Sequence, residues 1–202
     1  MTRSGLAACI VAGALAFACP AAAAEDIVSA YTHFDADRNC RHTPGRDVED
    51  YGTWRCPGLG GLIVWLSAGD QRMSISFGTG ARQAQRAPAA TSPFAAFNSV
   101  YRGTVEWRGV RAADGKMRPF ATIMRWSVRT QQDAERDDGR STGEVLVVTR
   151  LDPGGVCHVG FVDARGSAAN ARARTIADAH ARSFRCGRDR PVDEAPEIAK
   201  NG

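Results

Sequence analysis

The chain has 202 residues, 44% hydrophobic and 24% charged, with a formal net charge of +4 at neutral pH. A balance this close to neutral, with no dense basic cluster, argues against a nucleic-acid-binding protein. Six cysteines and the absence of a long internal apolar run direct attention to compartment before chemistry.

The first 24 residues have the three parts of a secretory signal. Arg3 gives the charged start, Leu6 to Cys19 the apolar run, and Ala22 and Ala24 the small side chains one and three residues before a cut at Ala24–Glu25. The run is shorter than the ~20 residues of a spanning helix. As a lipid-bearing residue Cys19 is disfavoured by Phe17 and Pro20. Cys9 lies too near the start for an apolar segment to precede it. The expectation is a periplasmic or secreted chain from Glu25 onward, with no membrane span, and a net charge of +3 once Arg3 is lost. Its size suits a single domain at 25–188 with a flexible tail at 189–202.

Four cysteines remain: Cys40, Cys56, Cys157 and Cys186. An even number in an exported chain favours disulfides. Of the three pairings, Cys40–Cys56 with Cys157–Cys186 closes the shortest loops, each stabilising by ~3–4 kcal/mol in the loop-entropy model. No closely spaced pair such as C-x-x-C points to zinc.

Along the chain, residues 26–34 suit a short strand or one helical turn. Residues 35–52 read as a loop held by Cys40, and Thr53–Cys56 as a strand stub. Leu62–Ser67 is a strongly apolar strand. A tight turn at Ala68-Gly69 leads to Asp70–Phe77, where Met73, Ile75 and Phe77 share one face as a half-buried hairpin partner. Residues 78–99 are rich in Ala, Gly and Pro and read as a long surface connection. Val105 and Trp107 share a face of the next strand, Asp114-Gly115 is a hairpin turn, and Pro119–Arg129 is a strand with Phe120, Thr122, Met124, Trp126 and Val128 on one side. Residues 130–143, polar and charged, cannot bury enough apolar area to order themselves and read as a mobile hairpin loop. Glu144–Leu151 is apolar on both faces, which places it centrally in a sheet. Val156–Asp163 pairs back, with Cys157, Val159 and Phe161 on one face. A helix over about 168–185, capped by Ser167 and ended by Gly187, carries the stripe Ala169, Ala173, Ile176, Ala177, His180 and Phe184. The fold class is α+β: an antiparallel meandering sheet with the C-terminal helix packed on one face, clamped there by the second of two disulfides.

Enzyme motifs are missing: no G-x-S-x-G elbow, P-loop, H-E-x-x-H, or G-x-G-x-x-G after a strand. The histidines (His33, His42, His158 and His180) form no pair at metal-ligand spacing, and His180 reads as a boundary core residue. Asp35, Asp37 and Asn39 match half of a calcium loop, but Cys40 and Arg46 stand where an EF-hand needs Gly and Glu. Trp107, Arg108, Arg125 and Trp126 could form an exposed aromatic–cationic face; alternation instead puts the tryptophans in the core with their arginines reaching outward. Arg172, Arg174, Arg182 and Arg185 read as a solvated helix face.

Seven strings, DADRNC (35–40), WRCPGLGG (54–61), GDQRMSISFG (69–78), RPFATIMRW (118–126), GEVLVVTRL (143–151), CHVGFVDA (157–164) and ARARTIADAHARSFRCG (171–187), together resemble a group of small exported alphaproteobacterial proteins with paired cysteines. The resemblance spans Ser29 to Gly187. It implies a periplasmic, disulfide-containing domain and transfers no cofactor, catalytic residue or binding residue.

The expectation for function is a non-enzymatic periplasmic binding or interaction protein. It would act on an envelope protein or cell-wall component through a sheet face or the 78–99 loop. The alternatives are an enzyme assembled from His158, His180 and Asp163, and a weak calcium binder at Asp35–Asn39.

Overall fold

The computed structural model describes residues 25–47, 49–136 and 138–198. The expected leader at 1–24, with Cys9 and Cys19, lies outside the described residues, as do residues 199–202. In chain order the elements are β1 (Ile27–Asp35), β2 (Arg41–Thr43), β3 (Asp50–Pro57), β4 (Ile63–Gly69), β5 (Arg72–Gly78), α1 (Ala81–Arg86), a 3₁₀ turn (Pro88–Ala90), β6 (Asn98–Ser99), β7 (Arg102–Arg111), β8 (Met117–Val128), α2 (Gln131–Arg136), β9 (Gly143–Arg150), β10 (Cys157–Asp163), α3 (Ala169–His180) and β11 (Val192–Glu194).

The strands form two sheets where one meander was expected. A seven-stranded sheet runs β1-β7-β8-β9-β10-β11, with β6 beside the end of β8, and a four-stranded sheet runs β2-β3-β4-β5. Pairing is antiparallel except between β10 and β11. The second sheet follows from β5. Its inward residues Met73, Ile75 and Phe77 need an opposing apolar face, and Val105, Trp107, Met124 and Trp126 supply it. Phe77 meets Trp107 edge-on at 5.5 Å between ring centroids. On the far side of the large sheet, α3 lays Ala169, Ala173, Ile176 and Ala177 on Ala121, Ile123, Leu146, Val148 and Val159. Its approach is close at Gly160, where a Cβ would stand 2.8 Å from Ile176 Cγ2. The expected C-terminal helix on one sheet face is present. As expected for a central strand, β9 sends Val145 and Val147 to one core and Leu146 and Val148 to the other.

Both disulfides have the local pairing. Cys40–Cys56 ties the approach to β2 onto β3, with Cα atoms 4.2 Å apart. Cys157–Cys186 ties β10 to the turn after α3, with Cα atoms 5.8 Å apart. No helix among the described residues is long and apolar enough to cross a membrane. Disulfides and the lack of such a helix are compatible with an extracytoplasmic protein.

Several local expectations are corrected. A bulge between His158 and Gly160 reverses the alternation of β10. Cys157 and Val159 face α3, while Phe161 enters the core between the sheets. The 78–99 stretch is no surface connection: Ala84, Ala89 and Phe94 are fully buried, and Phe94 meets Trp126 at 5.6 Å and Phe161 at 5.9 Å. The hairpin turn before β5 is Asp70-Gln71, both at positive φ (46° and 57°), in place of Ala68-Gly69. Helix α3 ends at His180, His180 is exposed, and Ser167 does not cap it, since Ala168 holds the cap position without a side-chain bond. The tail is docked as far as residue 198: β11 pairs with β10, and Ala195 and Ile198 are buried in the inter-sheet core.

Candidate functional site

At one end of the sandwich the two sheets come together around Phe97. The two-residue turn Asp70-Gln71 has the twist that suits a tight hairpin. It delivers Arg72 at the start of β5, where Nε donates to the Ala95 carbonyl at 2.8 Å and Nη1 to the Asp70 carboxylate at 2.5 Å. Asn98 fixes the facing strand. Its amide donates to Gln71 O at 3.1 Å, its Oδ1 accepts from the Met73 amide at 3.0 Å, and its Nδ2 donates to Ser92 Oγ and Ala96 O, each at 3.1 Å. Phe97, one residue earlier, accepts from the Arg129 amide at 2.8 Å. The Phe97 ring thus has two guanidiniums over it, Arg72 at 5.0 Å and Arg129 at 5.8 Å from its centroid.

The far wall is built from residues 130–136 and 138–143, which are ordered around a single carboxylate. Asp133 is fully buried. It accepts from the amides of Thr130 and Thr142, both at 2.8 Å, and from Thr142 Oγ1 at 2.8 Å, and it pairs with Arg136. Thr130 Oγ1 accepts from the Asp133 amide at 3.1 Å, completing a reciprocal capping box for α2. Burial alone would raise the Asp133 pKa, but the Thr130 and Thr142 hydrogen bonds outweigh it and hold the acid well below the usual carboxylate range. The expected mobile loop is therefore corrected: order here comes from satisfying a buried charge, a route that apolar content does not reveal.

Between these walls lies a cleft of two lobes. The first, about 270 Å³, is lined by Tyr51, Tyr101 and Ser141 together with Arg72, Phe97 and Arg129. The second, about 300 Å³, shares those last three residues and adds Gln131, Ala134 and Glu197. Tyr51 is 44% exposed. Burial, then the neighbouring Tyr51 and Asp37, raises the Tyr101 pKa, so its hydroxyl stays a neutral donor. The described lining contains two cationic forks, three aromatic rings, several neutral polar groups and one carboxylate, Glu197, which pairs with Arg165 at 3.1 Å; it has neither histidine nor cysteine. Such a surface can hold an anion and stack a flat or apolar group; it contains no nucleophile–base pair.

The residues singled out from sequence lie elsewhere. Trp107 and Trp126 are 0% and 1% exposed in the inter-sheet core, and Trp107 Nε1 donates to Thr32 Oγ1 at 2.8 Å. Arg108 points the opposite way, buried under α3 in a bidentate pair with Asp178 at 3.0 and 2.6 Å. Arg125 is on the surface, paired with Glu144 at 2.8 Å. Strand alternation therefore separates the four, and they form no common exposed face. His158 sits on the inter-sheet side with its Nδ1 3.1 Å from Thr149 Oγ1, whereas His180 ends α3 on the other side of the sheet. Asp163 is held by Arg165. His180 lines a cavity of about 230 Å³ with Ser183 and Asp189. Ser183 Oγ donates to the His180 carbonyl at 3.3 Å, and Arg185 takes the Asp189 carboxylate at 2.6 Å. In the 35–39 turn, Asn39 Oδ1 accepts from the Asp35 amide and Asp35 Oδ1 from the Asp37 amide. The described residues contain no group of three or more His, Cys, Asp or Glu placed to hold a metal. The four arginines are engaged by acids: on α3, Arg172 with Glu194 and Arg174 with Glu106; beyond its end, Arg182 with Glu25 and Arg185 with Asp189.

Arg72, Phe97 and Arg129 belong to three separate segments, so no local sequence pattern marks the cleft. Two phenylalanines inside an otherwise Ala- and Pro-rich stretch (Phe94 and Phe97) were the available signal. Comparison of the chain with family models, curated proteins and solved structures yields no significant match.

Proposed function

We propose that the protein is an exported, non-enzymatic binding domain of the periplasm, and that its site is the cleft around Phe97, which takes an acidic peptide segment. The observation that carries this is the pair of guanidiniums, Arg72 and Arg129, over one partly exposed ring shared by two lobes. Arginine and aromatic residues are the side chains that concentrate binding energy at interfaces. Alternate side chains of an extended peptide stand ~7 Å apart, a spacing that lets two carboxylates straddle the Phe97 ring. The signal-like leader, the two disulfides and the resemblance to exported alphaproteobacterial proteins support the compartment. An acidic stretch of an envelope protein and the acidic peptide of the cell wall both offer this chemistry.

Titration calorimetry with triglutamate and trilysine peptides at 0.15 M salt tests the reading. Triglutamate is expected to bind and trilysine not. Arg72→Ala and Arg129→Ala should each weaken triglutamate ~10–100-fold, the range for a charge-assisted hydrogen bond. Equal behaviour of the two peptides, or indifference to both substitutions, would sink it. The enzymatic alternative has no comparable support, since His158 and His180 stand on opposite faces of the large sheet.

A further inference from the structure

The large sheet ends at β1, and the parity of that strand can be read from its pairing. Ala36 N donates to Tyr101 O and Arg111 N to Asp26 O, continuing the β1–β7 register at both ends. Even-numbered residues of β1 therefore exchange bonds with β7. Ile27, Ser29, Tyr31, His33 and Asp35 turn their N–H and C=O groups outward. The last two are closed off: Asn39 Oδ1 accepts from the Asp35 amide at 2.8 Å and Asn39 Nδ2 donates to the His33 carbonyl at 3.3 Å. Among the described residues nothing bonds the outward backbone groups of Ile27, Ser29 and Tyr31.

Proteins guard sheet edges with short strands, charges, prolines, bulges or covering segments. The other edges here are guarded. Strands β2 and β11 have three residues each, and Asn98 of β6 covers the Met73 amide of β5. Strand β1 has nine residues, no proline, no charge from Ile27 to His33 and no register shift, and its central Tyr31 is 52% exposed.

We infer that β1 is a self-association edge, paired antiparallel with β1 of a second copy about a two-fold axis at Ser29. Asn39 stops the ladder at one end and so selects a partner segment no longer than β1 itself. Centred on Ser29, the register sets Ile27 against the partner's Tyr31 and Glu25 against the partner's His33. Each copy thereby gains an aliphatic–aromatic cross-strand pair, while Glu25 stays engaged by Arg182. The opposite registers, centred nearer Tyr31, run into the Asn39 cap. The pairing adds about six backbone hydrogen bonds and joins the two large sheets into one.

Sedimentation velocity of the purified, disulfide-bonded protein from micromolar to ~0.2 mM tests this, a range typical of weak interfaces. A dimer obeying mass action is expected. Tyr31→Pro removes an outward N–H without touching the β7 ladder, so it should raise the dimer Kd at least ~10-fold and leave the circular dichroism spectrum unchanged. Ala30→Pro, whose N–H points into the sheet, should instead lower Tm. If Tyr31→Pro fails to fold, Ile27→Lys with Tyr31→Lys decides, because that register sets the two lysines face to face. Ser29→Cys should crosslink copies under mild oxidation, since directly paired residues have Cα atoms ~5.5 Å apart. A wild-type monomer throughout the range overturns the inference, as does a dimer indifferent to both the proline and the lysine variants. A dimer without the Ser29→Cys crosslink overturns the register.

Discussion

Asn98 Oδ1 accepts the Met73 amide at 3.0 Å, a single side-chain bond that joins the edge of the small sheet to the short strand β6 of the large one. Both residues are buried, 5% and 2% exposed. In Asn98→Ala the Met73 N–H loses its acceptor. A buried orphan of this kind costs ~1–3 kcal/mol, which for a domain of this size lowers Tm by ~2–4 °C per kcal/mol. Thermal unfolding by circular dichroism measures it. Asn98→Ala should also weaken cleft binding, because Phe97 is the adjacent residue.

Asp133 makes stability sensitive to strong acid. Its folded pKa lies below the unfolded carboxylate value, so its contribution is complete above the unfolded pKa of ~3.9 and is lost as pH falls through the folded value. Urea midpoints measured from pH 5 down to 2 should fall more steeply in the wild type than in Asp133→Asn. That variant should already be less stable than Asn98→Ala at pH 7: Oδ2 serves both the Thr130 and Thr142 amides, so an Asn that keeps its carbonyl there turns its NH2 on the Arg136 guanidinium and loses the charge that pairs with it.

His158 acts over a higher window. Some of the residue's surface is accessible, but Nε2 is not, and the pKa follows the buried nitrogen. Burial lowers it to about 4, weakly opposed by the Thr91 backbone. Between that value and the unfolded ~6.5 the unfolded state binds the extra proton, so stability rises with pH across the window and is lost as pH falls. The full swing is on the order of 3 kcal/mol. Urea unfolding of wild type and His158→Gln at pH 4.5 and 7 should show it: the difference between the two pH values shrinks in the variant.

Arg108 and Asp178 hold α3 over β7. Arg108 also donates from Nη1 to Ser29 Oγ at 2.7 Å. Asp178→Ala leaves a buried guanidinium without its counter-ion and should cost ~3–5 kcal/mol, whereas Arg108→Met with Asp178→Leu should recover most of that loss. Chemical denaturation of the single and double variants gives the comparison. If the double variant is no better than Asp178→Ala, the burial account of this pair is wrong.

Where local pattern and long-range packing agree, the fold was legible. EVLVVTRL announces a strand buried on both faces, the Ala169–Ala177 stripe announces the face of α3, and cysteine spacing was enough for both disulfides. Strict alternation puts Phe161 on the wrong face, because the bulge in β10 shows only against its β9 partner. The 130–143 segment reads as mobile because its anchor is polar, although Thr130 and Asp133 stand at capping-box spacing. The cleft was out of reach for a different reason: the contact between Arg72 and Phe97 exists only once Asn98 has bridged two sheets.

Ile198 is packed into the same core as Phe34 and Trp54. A chain made N-terminus first therefore carries an unfinished core until its closing segment emerges. Domains of this build cannot fold in instalments. While the remainder is being synthesised, the early strands lack their full core and the native pairing of the last cysteine waits. Fusions and truncations at the C-terminal end act on this final step, and a deletion that begins before Ala195 removes part of the central core along with the last strand's support.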